Sequence, residues 1–106
     1  MTTRRITPNR RVHRVLQFEH DGLQFTAGFG FFEDGTAAEI FLSGGKTGSG
    51  ANAAAHDAAI VASLALQHHV PLSTIRNAVE RLPDGSAAGP LGHALDLLDA
   101  EGHASR

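Results

Sequence analysis

The residues best suited to chemistry lie in the segment Ser43 to Gly50, SGGKTGSG, where four glycines surround Lys46, Thr47 and Ser49. A glycine-rich turn that runs into a helix presents several backbone N–H groups at once. The positive end of the helix dipole adds its attraction for an anion. Lys46 would supply a charge and Thr47 and Ser49 two hydroxyls, so Lys46, Thr47, Gly48, Ser49, Gly50 and Asn52 form the candidate ligand-binding set here. The plain alternative is a strand-to-helix connector. A Walker loop is excluded, because Lys46-Thr47 comes too early and further glycines follow it before the helix.

Arginine supplies the second feature. Arg4, Arg5, Arg10, Arg11 and Arg14 fall within the first fourteen residues, which contain no acid, whereas the remainder holds eleven acidic and four basic residues. The net charge of −2 hides this split. A basic arm over residues 1–11 is expected to dock on something negative, and Arg10 and Arg11 join the candidate ligand-binding residues. The negative partner is a phosphorylated small molecule, an acidic neighbouring subunit or, as the weaker reading, nucleic acid. No aromatic residue interleaves the arginines and the rest of the chain is acidic, which leaves nucleic acid without a stacking platform.

Other chemistries find little support. With no cysteine, thiolate nucleophiles, disulfides and Cys-type zinc sites are absent together. His68 and His69 are neighbours and point apart on a helix, as do His56 and Asp57. His93 and Asp96 share a helix face but have no evident third ligand, so no metal site is expected. The histidines read instead as surface or interface residues. None of the serines sits in an activating motif such as G-x-S-x-G, and Asp96 with Asp99 reads as the solvated face of a helix. No catalytic residue and no cofactor are expected, and the chain reads as a non-enzyme.

These residues must be positioned by a single small domain, since 106 residues with 42% apolar and 19% charged content describe one globular core. From Val12 to Leu42 apolar residues alternate with polar ones or glycine, and Asp21-Gly22 and Asp34-Gly35 are hairpin signals between the runs. The spacing predicts a three-stranded antiparallel meander over about 12–19, 23–33 and 36–43. Three helices follow, over about 51–69, 72–82 and 91–100, with Ser49 or Asn52 capping the first and Pro71 separating it from the second. The fold class is therefore α+β, with a domain over 12–100 and a loose tail over 101–106.

The first helix is apolar nearly all round, so it should be covered on more than one side, by the sheet and by either another helix or another subunit. A homodimer or higher even-numbered oligomer is expected. No apolar run approaches 18 residues and no secretory signal opens the chain, so the cytoplasm is the expected compartment and no membrane partner is expected.

Several segments resemble the TSCPD domain. They are Thr7-Pro8-Asn9-Arg10-Arg11, Glu33-Asp34-Gly35 with Glu39-Ile40-Phe41, Lys46-Thr47-Gly48-Ser49, Asp57, and Ser63-Leu64-Ala65-Leu66-Gln67 with Val70-Pro71-Leu72. The resemblance covers about residues 4 to 99. This family is best known as a C-terminal module of adenosylcobalamin-dependent ribonucleotide reductases, and it also occurs as short stand-alone bacterial and phage proteins. It implies a small α+β module associated with nucleotide metabolism, with a ribonucleotide reductase as a possible partner. The reductase tails are rich in cysteine; this chain has none, so no thiol or metal role is carried over. Phage-type proteins that sequester nucleotide signals between subunits offer an analogy for the function.

Overall fold

The computed structural model describes residues 13–45 and 48–101. Three strands, β1 (His13–His20), β2 (Leu23–Phe31) and β3 (Ala37–Gly44), pair antiparallel in chain order, and α1 (Gly50–Gln67), α2 (Leu72–Ala78) and α3 (Pro90–Ala100) follow. The α+β meander expected from the alternation is what forms.

Asp-Gly sets both hairpins. Asp21 and Gly22 both have positive φ, 52° and 78°, as a two-residue loop between His20 and Leu23 needs. At the second hairpin Gly35 takes φ 88°, and the Asp34 carboxylate accepts from the Thr36 N–H at 3.0 Å and from its hydroxyl at 2.6 Å.

One face of the sheet carries Phe18, Phe25, Ala27, Phe29, Ile40 and Leu42. It is covered by Ala55, Ala59, Ala62 and Leu66 of α1 and by Ala94, Leu95 and Leu98 of α3. Alanine on α1 lets the helix approach the sheet closely, while the phenylalanines fill the space between layers.

The polar residues of α1 have a structural purpose that periodicity alone does not reveal. Asn52, Ser63 and Gln67 lie on one side of the helix, along the free edge of β3. The Asn52 side-chain carbonyl accepts from the Gly44 N–H at 3.0 Å. The Ser63 hydroxyl accepts from the Ile40 N–H at 2.8 Å and donates to its carbonyl at 3.0 Å. Gln67 donates to the Ala38 carbonyl at 3.2 Å. An edge strand with open N–H and C=O groups is a template for unwanted pairing, and here α1 closes it with side chains.

The helix C-terminus is closed by a Schellman arrangement. His69 takes φ 71°, its N–H donates to Leu66, and the Val70 N–H donates to Ala65 at 3.0 Å.

The second helix is shorter than the expected 72–82 and ends at Ala78. Val79 is already extended, with φ −73° and ψ 153°. The cause lies further on, at Asp84-Gly85-Ser86. The Asp84 carboxylate accepts from the Ser86 N–H at 2.9 Å and its hydroxyl at 2.6 Å, and Gly85 takes φ 90°. This repeats the turn at Asp34-Gly35-Thr36 and folds residues 80–88 back on themselves, with Arg81 bridged to Ala87. The turn-rich loop is a short hairpin.

Among the described residues no other helix covers the far side of α1. Ile60, Val61 and Leu64 are 48%, 66% and 42% exposed. Of the two covers expected for that side, the second helix is ruled out. Among the described residues no helix is long and apolar enough to cross a membrane.

Candidate functional site

Between α1 and the 79–92 segment runs a groove of about 450 Å³. Ala51, Ala54 and Ala58 form one wall, Val79, Glu80 and Ala88 to Gly92 the other, and Leu23 and Phe25 the apolar floor. His20, Asp21 and Glu80 are its polar members. The lining is mostly apolar, which suits a flat hydrophobic group with a few polar contacts fixing its orientation.

The wall opposite α1 is held by ions. Asp96 on α3 receives Arg81, whose Nη2 donates to Oδ1 at 2.9 Å and whose Nη1 donates to Oδ2. Arg76 on α2 donates to the same carboxylate from Nε and Nη2, at 3.2 and 3.1 Å, and also pairs with Asp99 at 3.3 Å. Arg81 further donates to the Arg76 carbonyl at 3.0 Å, so α2, the hairpin and α3 are tied at one point. Asp96 and Asp99, read as the solvated face of a helix, are partly exposed and are in addition engaged by arginine.

The hydrogen bonds from Arg81 hold the Asp96 carboxyl below its ordinary value of 3.8, against the opposing effect of burial and with help from Arg76. A carboxylate so shifted stabilises the fold above its ordinary value, and that contribution is lost as pH falls through the folded one. Asp96→Asn should therefore cost about 1–2 kcal/mol near neutrality, discounted for partial exposure. The difference from wild type should shrink in acid unfolding curves taken below pH 4.

The groove is also tied down at its floor. His20, at the end of β1, lies 3.0 Å from His93 of α3 through their Nδ1 atoms, and its Nε2 lies 3.0 Å from the Ala88 carbonyl. The His93 ring packs against Phe18, tilted by 54° at a centroid distance of 4.6 Å. Reading the histidines as surface residues misses this pair, because residues 73 positions apart give no local signal of contact. His93 and Asp96, neighbours on one helix, face different partners. No group of three or more His, Cys, Asp or Glu is placed to hold a metal among the described residues.

The glycine segment lies at one end of the groove. A Cβ placed on Gly45 would sit 3.7 Å from Leu23 and 4.0 Å from Ala51, both of which line the groove. Of the candidate ligand residues, Arg10, Arg11, Lys46 and Thr47 lie outside the described residues. Gly48 is exposed with φ 83°, and Gly50 opens α1. Ser49 and Asn52 serve the chain itself. The Ser49 hydroxyl caps the helix by accepting from the Asn52 N–H at 3.2 Å, and the Asn52 carbonyl is engaged by Gly44. What this end offers a ligand is backbone: the first-turn amides at Gly50 and Ala51 have no carbonyl one turn earlier within the helix.

The model of one family, the TSCPD domain, matches residues 2–101. Neither a curated protein nor a solved structure matches the chain significantly. The matched span takes in the sheet, all three helices, the groove and the arginine latch. The chain therefore belongs to the TSCPD domain family.

Proposed function

We propose that the chain is a non-catalytic binding module that acts as a homo-oligomer and takes a phosphate-bearing ligand, such as a nucleotide, in the groove beside α1. The observation that carries this reading is the position of the groove: an alanine-walled slot of about 450 Å³ that ends at the first turn of an 18-residue helix. A base or similar flat group has apolar walls on both sides, and a phosphate at the end meets amides and the positive end of the dipole. Lys46, Arg10 and Arg11 are the basic candidates that such a ligand would call on, and they lie outside the described residues. Of the titratable groups near the groove, His20 bonds His93 and Ala88 and Asp96 holds two arginines, which supports binding over catalysis.

Isothermal titration of the whole chain with a panel of nucleotides and cyclic nucleotides tests this. At least one is expected to bind in the micromolar range, and Ala54→Trp, which fills the slot from an exposed helix position, should abolish the heat while circular dichroism is unchanged. Absence of heat at millimolar concentration for every member ends the reading.

A second reading, a protein–protein assembly module for a ribonucleotide reductase or another partner, is favoured by the open side of α1. Ile60, Val61 and Leu64 form a ridge there. Beside it runs a second apolar groove of about 570 Å³, with Ala62, Ala65, Val70, Ile75 and Ala78 in its lining. A ridge next to a groove is self-complementary under two-fold symmetry, which is why self-association is included in the first reading. Co-sedimentation with an adenosylcobalamin-dependent ribonucleotide reductase separates the two: binding that survives Ala54→Trp supports assembly.

A further inference from the structure

His20 and His93 face each other through Nδ1 at 3.0 Å, and the other nitrogen of His20 faces a carbonyl. A carbonyl only accepts, so His20 must carry its proton on Nε2 and donate it to Ala88. Its Nδ1 then has only a lone pair to offer, and His93 must supply the proton between them from its own Nδ1. The tautomers of both rings follow from one backbone atom.

This arrangement has a definite capacity for protons. A first added proton can sit on the remaining nitrogen of His93, leaving its Nδ1–H donating to His20 as before. A second has no place. It would occupy His20 Nδ1 and set two N–H groups against each other across 3.0 Å. We infer that the pair is a proton-operated clasp, holding the Ala88–Gly92 wall of the groove to the end of β1 near neutrality and releasing it when both rings are charged.

The surroundings support a release rather than a tolerated charge pair. From the β1–β2 turn, the Asp21 carboxylate lies 3.8 Å from His20 Nε2 and is largely exposed, so water screens it. From α3, Asp96 faces His93 but is engaged by two arginines. From the hairpin, Glu80 lines the same groove, and from α1 only alanines do. Phe18 and Phe25 close the apolar side. Burial lowers the His93 pKa first, the charge of His20 lowers it further, and Asp96 opposes both. A histidine with a lowered folded pKa favours the fold above its ordinary value of 6.5, and loses that contribution as pH falls below it. The clasp stays shut while the pair carries at most one added proton and opens when the second arrives. It stands whatever the groove binds.

Two measurements on the whole chain test it. Nitrogen-15 NMR of histidine-labelled protein at pH 7.5 should find His93 as the Nδ1–H tautomer and His20 as the Nε2–H tautomer. Amide exchange over residues 86–92, corrected for the intrinsic effect of pH, should lose at least tenfold protection between pH 7.5 and 5.0. His93→Phe keeps a ring against Phe18 and removes one of the two charges, so no two N–H groups are set against each other and its protection should change less than twofold. An Nε2–H tautomer at His93, or equal loss in wild type and variant, overturns the clasp. Should His93→Phe fail to fold, the tautomers of the native chain decide alone.

Discussion

Gly44→Ala should be among the most damaging single substitutions in the chain, costing about 3 kcal/mol or more in denaturant unfolding. A methyl group there would lie 2.6 Å from the Gln24 carbonyl oxygen and closer still to the ring of Phe25. Gly44 pairs directly with Phe25 in the sheet, and the ring has little room to withdraw. It is 3% exposed, stacks on Phe18 at a centroid distance of 5.7 Å and forms the groove floor. The carbonyl belongs to the backbone and cannot turn aside without disturbing the β1–β2 hairpin. Gly44 also donates to Asn52, so any backbone shift pulls on the start of α1. Two neighbours serve as controls. Gly48→Ala meets nothing within 4 Å but must hold φ 83°, which costs about 1 kcal/mol. Gly50→Ala also meets open space, in a helix position without positive φ, and should be neutral or slightly stabilising. The expected order of loss is Gly44, then Gly48, then Gly50. A Gly44→Ala protein as stable as Gly50→Ala would refute the packing described here.

That order also shows what SGGKTGSG could and could not tell. The sequence presents four glycines of equal standing, and their clustering suggests one purpose, a ligand loop. In the folded chain they divide. Gly44 makes room for Phe25, whereas Gly45 and Gly48 supply positive φ, at 68° and 83°. The distinction depends on a cross-strand neighbour nineteen positions earlier, which no local pattern reports.

The meander was legible because its signals are local: period-two alternation and Asp-Gly turns act within a few residues. The same chemistry was present at Asp84-Gly85-Ser86 and is a close match to Asp34-Gly35-Thr36, in both cases an aspartate capping a hydroxyl residue two positions on. There the apolar spacing of Ile75, Ala78, Val79 and Leu82 suggested a longer helix. The turn overrides it, since Ser86 and Leu82 are bound to each other by the Leu82 N–H at 2.9 Å. Ser63 and Gln67 were legible only as interruptions of an apolar helix, and Asn52 as a helix cap or ligand residue. Their spacing becomes meaningful once a strand edge with unpaired backbone lies beside them. The histidine clasp and the arginine latch join residues far apart in the chain, and neither leaves a periodic trace.

Val61→Glu should convert an assembled protein into a monomer of 11.1 kDa by sedimentation, while leaving its far-ultraviolet circular dichroism unchanged. Val61 is the most exposed of the large apolar residues, at 66%, and stands between Ile60 and Leu64 on the open side of α1. Within one chain Val61 is largely exposed, and Asp57, a like charge, lies one turn earlier on the helix. The folded monomer should therefore change by about 0.5 kcal/mol at most. In a two-fold interface the same change acts twice, once from each copy, and each carboxylate would have to leave water for an apolar surface. A desolvation cost of that kind exceeds what a ridge of three side chains can return. The asymmetry between a negligible effect on the monomer and a complete effect on assembly distinguishes a true interface from a tolerated apolar patch. Wild-type protein sedimenting at 11.1 kDa would remove the interface altogether. An oligomer indifferent to Val61→Glu would place the contact elsewhere, on the sheet face where Val15 and Phe41 lie exposed on either side of Gly28.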